Sequence, residues 1–320
     1  MATGSKIQEG VLRKLPQELP FDFLKKITDG FSKLRQFGND ASGKVYMGLL
    51  EDGGMIAVKK LEENAPGTHD EKVFSTKVQN IMALKHENIV QVVAFCREPQ
   101  KKLVQCDGEY LNVRIIESLL CYEYLPKGSL HDFLFENESS TTIEWGTRFD
   151  IVKGICQGIQ FLHKLPKPII HLGLKPENIL LDDKIVPKIA DFGFSRLFGP
   201  EKTRMMTQSS VGSVGYMAPE YLYQGEISAR SDIYSLGLII IEIATGEKNQ
   251  PSINQKSARK FIEKVKEDWT KDCIMGEYPD LDDDSLHQVN ACIEIGLECV
   301  DLDQNKRPNI VQIVNRLNGQ

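Results

Sequence analysis

Four short stretches of this sequence stand out for chemistry: Ile56-Ala-Val-Lys59, His171-Leu-Gly-Leu-Lys-Pro-Glu-Asn178, Asp191-Phe-Gly193 and Ala218-Pro-Glu220. Upstream of them, Gly38-Asn-Asp-Ala-Ser-Gly43-Lys-Val45 is a glycine-spaced turn. Glycine lets backbone N–H groups come close to phosphate oxygens, so such a turn can cradle a polyphosphate. Phosphoryl transfer consists mostly of positioning and electrostatics, which lysines, carboxylates and amides can supply. Any one of these stretches is weak evidence. Four of them in this order and at these separations are strong evidence.

In that order and spacing the stretches resemble the motifs of protein kinases. Ile56-Ala-Val-Lys59 is similar to the third-strand VAIK element, and 171–178 is similar to the catalytic loop HRDxKxxN. Asp191-Phe-Gly193 and Ala218-Pro-Glu220 match DFG and APE as they stand. Leu120-Cys-Tyr-Glu-Tyr-Leu-Pro-Lys-Gly-Ser-Leu130, Ser231-Asp-Ile-Tyr-Ser-Leu-Gly237 and the lead-in 21–32 resemble the plant receptor-like, Pelle-related kinases. Within these the chain looks similar to grass cysteine-rich receptor-like and receptor-like cytoplasmic members. The resemblance covers about residues 20–317. It implies an α+β, two-lobed protein-kinase fold with a β-rich N-lobe and a helical C-lobe. It further implies that Lys59 reaches the phosphates, Lys175 contacts the γ-phosphate, and Asn178 and Asp191 hold Mg²⁺. Gly38, Gly43, Val45 and Ala57 would line the nucleotide site, with Tyr122 as gatekeeper and the Glu123 to Leu125 backbone receiving adenine. Glu220 would pair with Arg307, and Asp232 would support the catalytic loop from below.

Three departures break the catalytic pattern. Gly173 stands where a catalytic-loop Asp accepts the substrate hydroxyl proton. Glycine can neither orient a hydroxyl nor take its proton, and a positioned general base contributes about 10²–10⁴-fold. Leu172, at the neighbouring Arg position, leaves an activation-loop phosphate no basic pocket there; by itself this change means little. The second departure is Lys77, at the helix position where the family places a Glu that pairs with the strand lysine. Either two cations face each other, which disfavours both, or the helix swings out and Lys77 meets solvent. Glu71 lies roughly 120° around the helix from position 77 and is a poor substitute. In the third departure, Asp40 replaces the middle glycine of the turn and Ser42 the aromatic lid. Asp40 either repels a triphosphate or turns outward.

The elements that must position these residues follow from local pattern. Phe21-Asp-Phe-Leu-Lys-Lys-Ile27 reads as a short amphipathic helix. Residues 44–46 and 55–59 are β-prone runs around the turn signal Glu51-Asp-Gly-Gly54. Residues 70–85 carry helical spacing at Val73, Val78, Ile81, Met82 and Leu84. Strands are expected over 89–96, 102–105 and 115–124, a helix from Trp145 to His163, short β-runs over 178–189, and helices over 219–317. The expected organisation is an N-terminal extension over 1–30, an N-lobe over 31–124 and a C-lobe over 125–320, with one kinase domain over about 31–317 and a hinge near 125–128.

Composition bounds the class. The 320 residues include 41% hydrophobic and 26% charged residues, within the globular range. A net charge of −6 argues against a nucleic-acid partner or a basic membrane footprint. The seven cysteines stand singly with no CxxC pair, the usage of buried or idle thiols in a reducing compartment. The N-terminus lacks the apolar core of a signal peptide, and Ala2 excludes myristoylation at that position. The longest apolar run, 236–244, is too short to span a bilayer and contains Glu242. The expectation is a soluble, cytoplasmic chain without a membrane span; a fragment of a longer receptor would look the same.

These residues lead to a protein-kinase-like domain with impaired catalysis, a pseudokinase. It would act as scaffold, decoy or allosteric regulator toward protein partners, an active kinase or an immune receptor. Two alternatives remain open: a slow ATP-dependent Ser/Thr kinase, and an ATP-gated switch without turnover. The retained Lys59, Lys175, Asn178 and Asp191 mean either residual binding of ATP and Mg²⁺ or maintenance of the fold. Thr203, Thr207, Ser209, Ser210 and Ser213 offer hydroxyls to a partner kinase, a weak signal.

Overall fold

The computed structural model describes residues 15–40, 42–62, 70–106, 109–136, 143–198, 203–207, 212–213, 215–250 and 258–320. The chain divides into two compact units, Met1–Lys85 with Val90–Tyr124, and His86–Ile89 with Leu125–Gln320. The architecture is α+β: an antiparallel five-stranded sheet in the first unit and mainly helices in the second.

In the first unit, β1 (Gln36–Asp40), β2 (Gly43–Leu49), β3 (Met55–Leu61), β4 (Val92–Cys106) and β5 (Glu109–Glu123) take the order β1-β2-β3-β5-β4. The period-2 alternation of β3 puts Ile56 and Val58 on one face and Ala57 and Lys59 on the other. The first face is covered by α1 (Phe21–Ile27), which buries Phe21, Leu24 and Ile27 against Ile56, Val58, Ala94, Cys96, Leu119 and Cys121. Asp22 in its first turn and Lys25 and Lys26 in its last complement the helix dipole. Its lead-in adds a short parallel pairing, with Leu19 N donating to Phe95 O at 2.8 Å and Phe95 N to Gln17 O at 2.8 Å. α1 is thus part of the core of this unit. α2 (Glu71–Met82) is capped by Asp70, whose Oδ1 accepts from Lys72 N and Val73 N, and buries Phe74, Val78 and Ile81.

One expectation is corrected. The runs at 102–105 and 115–124 are not separate short strands. β4 and β5 are each 15 residues long and pair continuously from Ala94↔Cys121 to Cys106↔Glu109. β3 pairs with β5 only up to Lys60↔Leu119, so the remainder continues as a two-stranded ribbon. From Ala94 to Cys106 every residue of β4 faces a register partner on β5.

In the second unit, α4 (Trp145–Lys164) packs near α6 (Ala229–Thr245), which is buried from Ser231 to Ala244. In chain order α3 (Leu130–Phe135) precedes α4 and α5 (Pro219–Gln224) precedes α6, and α7 (Arg259–Asp268), α8 (Lys271–Glu277), α9 (Asp283–Cys299) and α10 (Ile310–Leu317) follow. α6 and α9 approach closely through glycines: a Cβ at Gly237 would stand 2.5 Å from Cys299 Cβ. Among the described residues, two- and three-residue pairings punctuate the helices: β6 (Ile169–Ile170) with β9 (Arg196–Leu197) and β7 (Ile179–Leu181) with β8 (Pro187–Ile189). A further short pair, β10 (Met205–Met206) with β11 (Glu226–Ile227), interrupts the stretch expected to be helical. Glu220 and Arg307 form a buried bidentate pair at 2.7 and 2.8 Å, and Arg307 Nε also donates to Asp301 O at 2.8 Å.

Candidate functional site

The sheet of the first unit gathers one set of the sequence-predicted residues. Cross-strand partners share a face, and the registers Gly38↔Val45, Val45↔Lys59 and Ala57↔Tyr122 put these five residues on the face opposite α1. Tyr122 and Lys59 are buried there, Lys59 at 4% exposure. Gly43 closes the β1–β2 turn opposite Asp40 with φ 157°, and any Cβ on it would strike the Lys60 carbonyl. Only glycine fits that approach. Ser42 is buried rather than poised as a lid; the Asp40 side chain lies outside the described residues. Glu123 N donates to Gln91 O at 3.0 Å, and its carboxylate accepts from Gln91 N at 2.9 Å. Leu125 opens the second unit. On α2, Lys77 is half-buried beside the Phe74–Ile81 face, whereas Glu71 is exposed.

The second unit builds the loop from His171 to Asn178 around Asp232 at the start of α6. Asp232 Oδ2 accepts from His171 N at 2.8 Å and Oδ1 from Leu172 N at 2.9 Å. His163 Nε2 lies 2.9 Å from the same Oδ2. This double clamp holds Leu172 at φ 61°, a left-handed conformation that an unsupported leucine avoids. The support from below expected of Asp232 is the clamp seen.

His171 is fully buried, with Nε2 2.9 Å from Ala190 O and Nδ1 accepting from Gly173 N at 3.2 Å. The two contacts select the Nε2–H tautomer. Burial is the largest influence on this imidazole and lowers its pKa, in keeping with a neutral ring. Its edge meets Phe192 at 5.0 Å, which fixes the start of the 191–193 turn. Asp191 adopts φ 62°, and its Oδ1 accepts from Gly193 N at 3.2 Å.

Asn178 Nδ2 donates to Gly173 O at 2.7 Å, and Asn178 O accepts from Ala190 N at 2.8 Å. Asn178 N also donates to Lys175 O at 2.9 Å, so Lys175, Asn178 and the residue before Asp191 belong to one hydrogen-bonded scaffold. Gly173 sits inside it. A Cβ there would meet His171 Cε1 at 3.5 Å, Nδ1 at 3.6 Å and Phe194 Cδ2 at 3.6 Å. These are ordinary contacts, and φ is not in the left-handed region. Neither backbone nor packing demands glycine at 173. The scaffold is held without any side chain at position 173.

Residues 31–317 match the family model described as the protein kinase domain. The chain belongs to the protein kinase family. Cysteine-rich receptor-like protein kinase 25 of Arabidopsis thaliana is 32% identical over 319 residues, which is 98% of this chain and 44% of that protein. Cysteine-rich receptor-like protein kinase 6 of Oryza sativa subsp. japonica is 35% identical over 298 residues, 91% of this chain and 40% of that protein. A G-type lectin S-receptor-like serine/threonine-protein kinase of Arabidopsis thaliana is 37% identical over 300 residues, 92% of this chain and 34% of that protein. This kinase domain groups with the plant receptor-like kinases and spans less than half the length of these relatives.

Two further features of the kinase domain concern the segment leading into Ala218-Pro-Glu220. Tyr216 OH donates to both oxygens of Glu242, each at 2.9 Å, and Asn249 N donates to Glu242 Oε1 at 2.9 Å. Burial, the largest influence, pushes the Glu242 carboxyl up to about 8, with the Asn249 and Tyr216 hydrogen bonds opposing it. The signal for this anchor was a single carboxylate inside the apolar run 236–244. Of the candidate hydroxyls, Thr207 sits beside β10, its N–H donating to Gly225 O at 2.9 Å, and Ser213 O accepts from Tyr216 N at 3.1 Å. Ser209 and Ser210 lie outside the described residues. No helix among the described residues is long and apolar enough to cross a membrane.

Proposed function

We propose that this kinase domain works as a binding module with impaired phosphoryl transfer: a pseudokinase that serves plant receptor-kinase or immune signalling as scaffold, decoy or allosteric regulator. The observation that carries the reading is Gly173, a base position with room for a side chain and no side chain on it. Lys77 in place of a carboxylate on α2 points the same way. The partners are proteins, an active kinase or an immune receptor, met in the cytoplasm.

Protein kinase domains generally bind ATP and Mg²⁺, and the donor set here fits them. Asn178 spends its Nδ2 on Gly173 O, which leaves its amide oxygen to serve, with the Asp191 carboxylate, as the oxygens that would hold a cation. Two such oxygens suit a hard divalent cation. Bound Mg²⁺ would neutralise phosphate charge; Lys59 and Lys175 would hold phosphate oxygens, and the Glu123–Leu125 backbone would receive adenine. This retained set favours a second reading, a nucleotide-gated switch without turnover.

Calorimetry of Mg²⁺-dependent ATP binding, with a transfer assay against Lys59→Met, separates the readings. Binding without Lys59-dependent transfer supports a nucleotide-regulated pseudokinase. No binding supports a pure interaction module. Transfer above the Lys59→Met control would make the chain a slow Ser/Thr kinase and overturn the proposal.

A further inference from the structure

Both tryptophans of the chain, Trp145 and Trp269, line one cavity of about 360 Å³ in the second unit. Tyr278 completes an aromatic wall, its ring centroid 5.8 Å from Trp145 at 70° and 6.5 Å from Trp269 at 53°. The polar handle of each ring is already used. Trp145 Nε1 donates to Gln288 Oε1 at 3.0 Å, Trp269 Nε1 to Glu247 Oε1 at 3.0 Å, and Tyr278 OH to Ala244 O at 2.6 Å. Trp145, 4% exposed and stacked on Phe149, backs the wall, and the half-buried Trp269 and Tyr278 have π surface left to offer a guest. The cavity contains none of the motif residues described above.

Its charges are lopsided. Glu144, Glu277 and Asp280 line it against a single cation, Arg148. Arg148 donates through Nη1 to Ile243 O at 2.6 Å and through Nε to Ile143 O at 3.4 Å, so its guanidinium is committed to backbone carbonyls. Three carboxylates to one guanidinium leave the lining at −2. Aromatic faces attract cations through their quadrupole, and more strongly once the cation sheds water. A guanidinium is planar, weakly hydrated and able to stack on an indole while forking to carboxylates; a lysine ammonium is compact and strongly hydrated.

We propose that this cavity is a recognition pocket for an arginine side chain presented by a partner protein. It does not depend on whether the kinase domain transfers phosphate, and it gives the domain a docking point of defined chemistry.

The chain's own fluorescence tests this, because no tryptophan lies elsewhere in the sequence. Nα-acetyl-L-arginine amide is titrated into the full chain while tryptophan emission is read, with Nα-acetyl-L-citrulline amide as the neutral isostere. The expected result is a saturable change with arginine in the millimolar range and a response at least about tenfold weaker with citrulline. The variant Glu144→Gln/Glu277→Gln/Asp280→Asn should lose the arginine response while keeping its melting temperature. If that variant does not fold, the unaltered chain at high salt gives the same comparison, since screening must weaken the arginine response. Equal responses to arginine and citrulline, a response retained in the charge variant or unchanged by salt, or no saturable change would each overturn the proposal.

Discussion

At position 173 an added Cβ would stand 3.5 Å from His171 Cε1 and 3.6 Å from Phe194 Cδ2, so a Cβ is accommodated there at ordinary contact distance. The loop itself is held by groups independent of that side chain: Asp232 on two successive N–H groups, Asn178 on the Gly173 carbonyl, and His171 between Ala190 and Gly173. On the proposed reading, loss of the base is therefore a chemical change on an intact frame. Glu242 is a second residue whose environment sets its behaviour. Its folded carboxyl titrates near 8, raised mainly by burial and further by Glu177, and lowered by the Asn249 and Tyr216 hydrogen bonds and by Lys248. Unfolded, it would ionise in the ordinary carboxylate range. Between those two values the unfolded chain releases a proton that the folded chain keeps, so stability falls as pH rises toward 8. Thermal melts from pH 5 to 8 should show that decline. Glu242→Gln should flatten it by up to about 1.4 kcal/mol per pH unit and gain most at the alkaline end. An unchanged slope in the variant would remove Glu242 as its source.

Among the elements, α1 carries the clearest energetic prediction. Leu24 is fully buried between this helix and the outer sheet face. Leu24→Ala should cost about 2–5 kcal/mol, read as a fall in melting temperature, because a truncated core side chain leaves both transfer loss and cavity. The ribbon of β4 and β5 predicts the opposite. Beyond Lys60↔Leu119 its strands pair only with each other, and Leu103 and Tyr110 are 62% and 65% exposed. Removal of 101–114 should leave the melting temperature within the few-degree range of surface changes. α1, β2, β3 and α2 were legible because amphipathic spacing, a Gly-Gly turn and an alternating strand each carry a local signal. The ribbon was not, because its length is set by cross-strand register between β4 and β5, which no local pattern announces. The Asp232 clamp and the Glu220–Arg307 pair were legible only through family resemblance, since no local pattern links residues so far apart in sequence. Glu220→Ala leaves Arg307 buried without its partner and should destabilise the second unit by about 3–5 kcal/mol in denaturant unfolding.

For the whole molecule, Lys59, Lys175, Asn178 and Asp191 are kept, while the departures at Gly173, Lys77 and Asp40 with Ser42 fall on positions that the resemblance assigns to proton transfer, lysine positioning and the phosphate turn. The motif residues were legible from their types and spacing. What the sequence alone left open was whether glycine at 173 answers a steric demand of the loop, which depends on φ and on ring contacts rather than on residue order. The aromatic cavity was invisible for the same reason, since Trp145, Trp269 and Tyr278 come from three helix ends. On the proposed reading, the chain keeps the frame of a protein kinase domain and carries glycine where the family's general base stands. The most direct test is γ-phosphate transfer from Mg·ATP by the unaltered chain, by Lys59→Met and by Gly173→Asp. The account predicts that the unaltered chain matches Lys59→Met, and that Gly173→Asp exceeds both by at least about 10²-fold. Transfer by the unaltered chain above Lys59→Met, or no gain on restoring the aspartate, would contradict it.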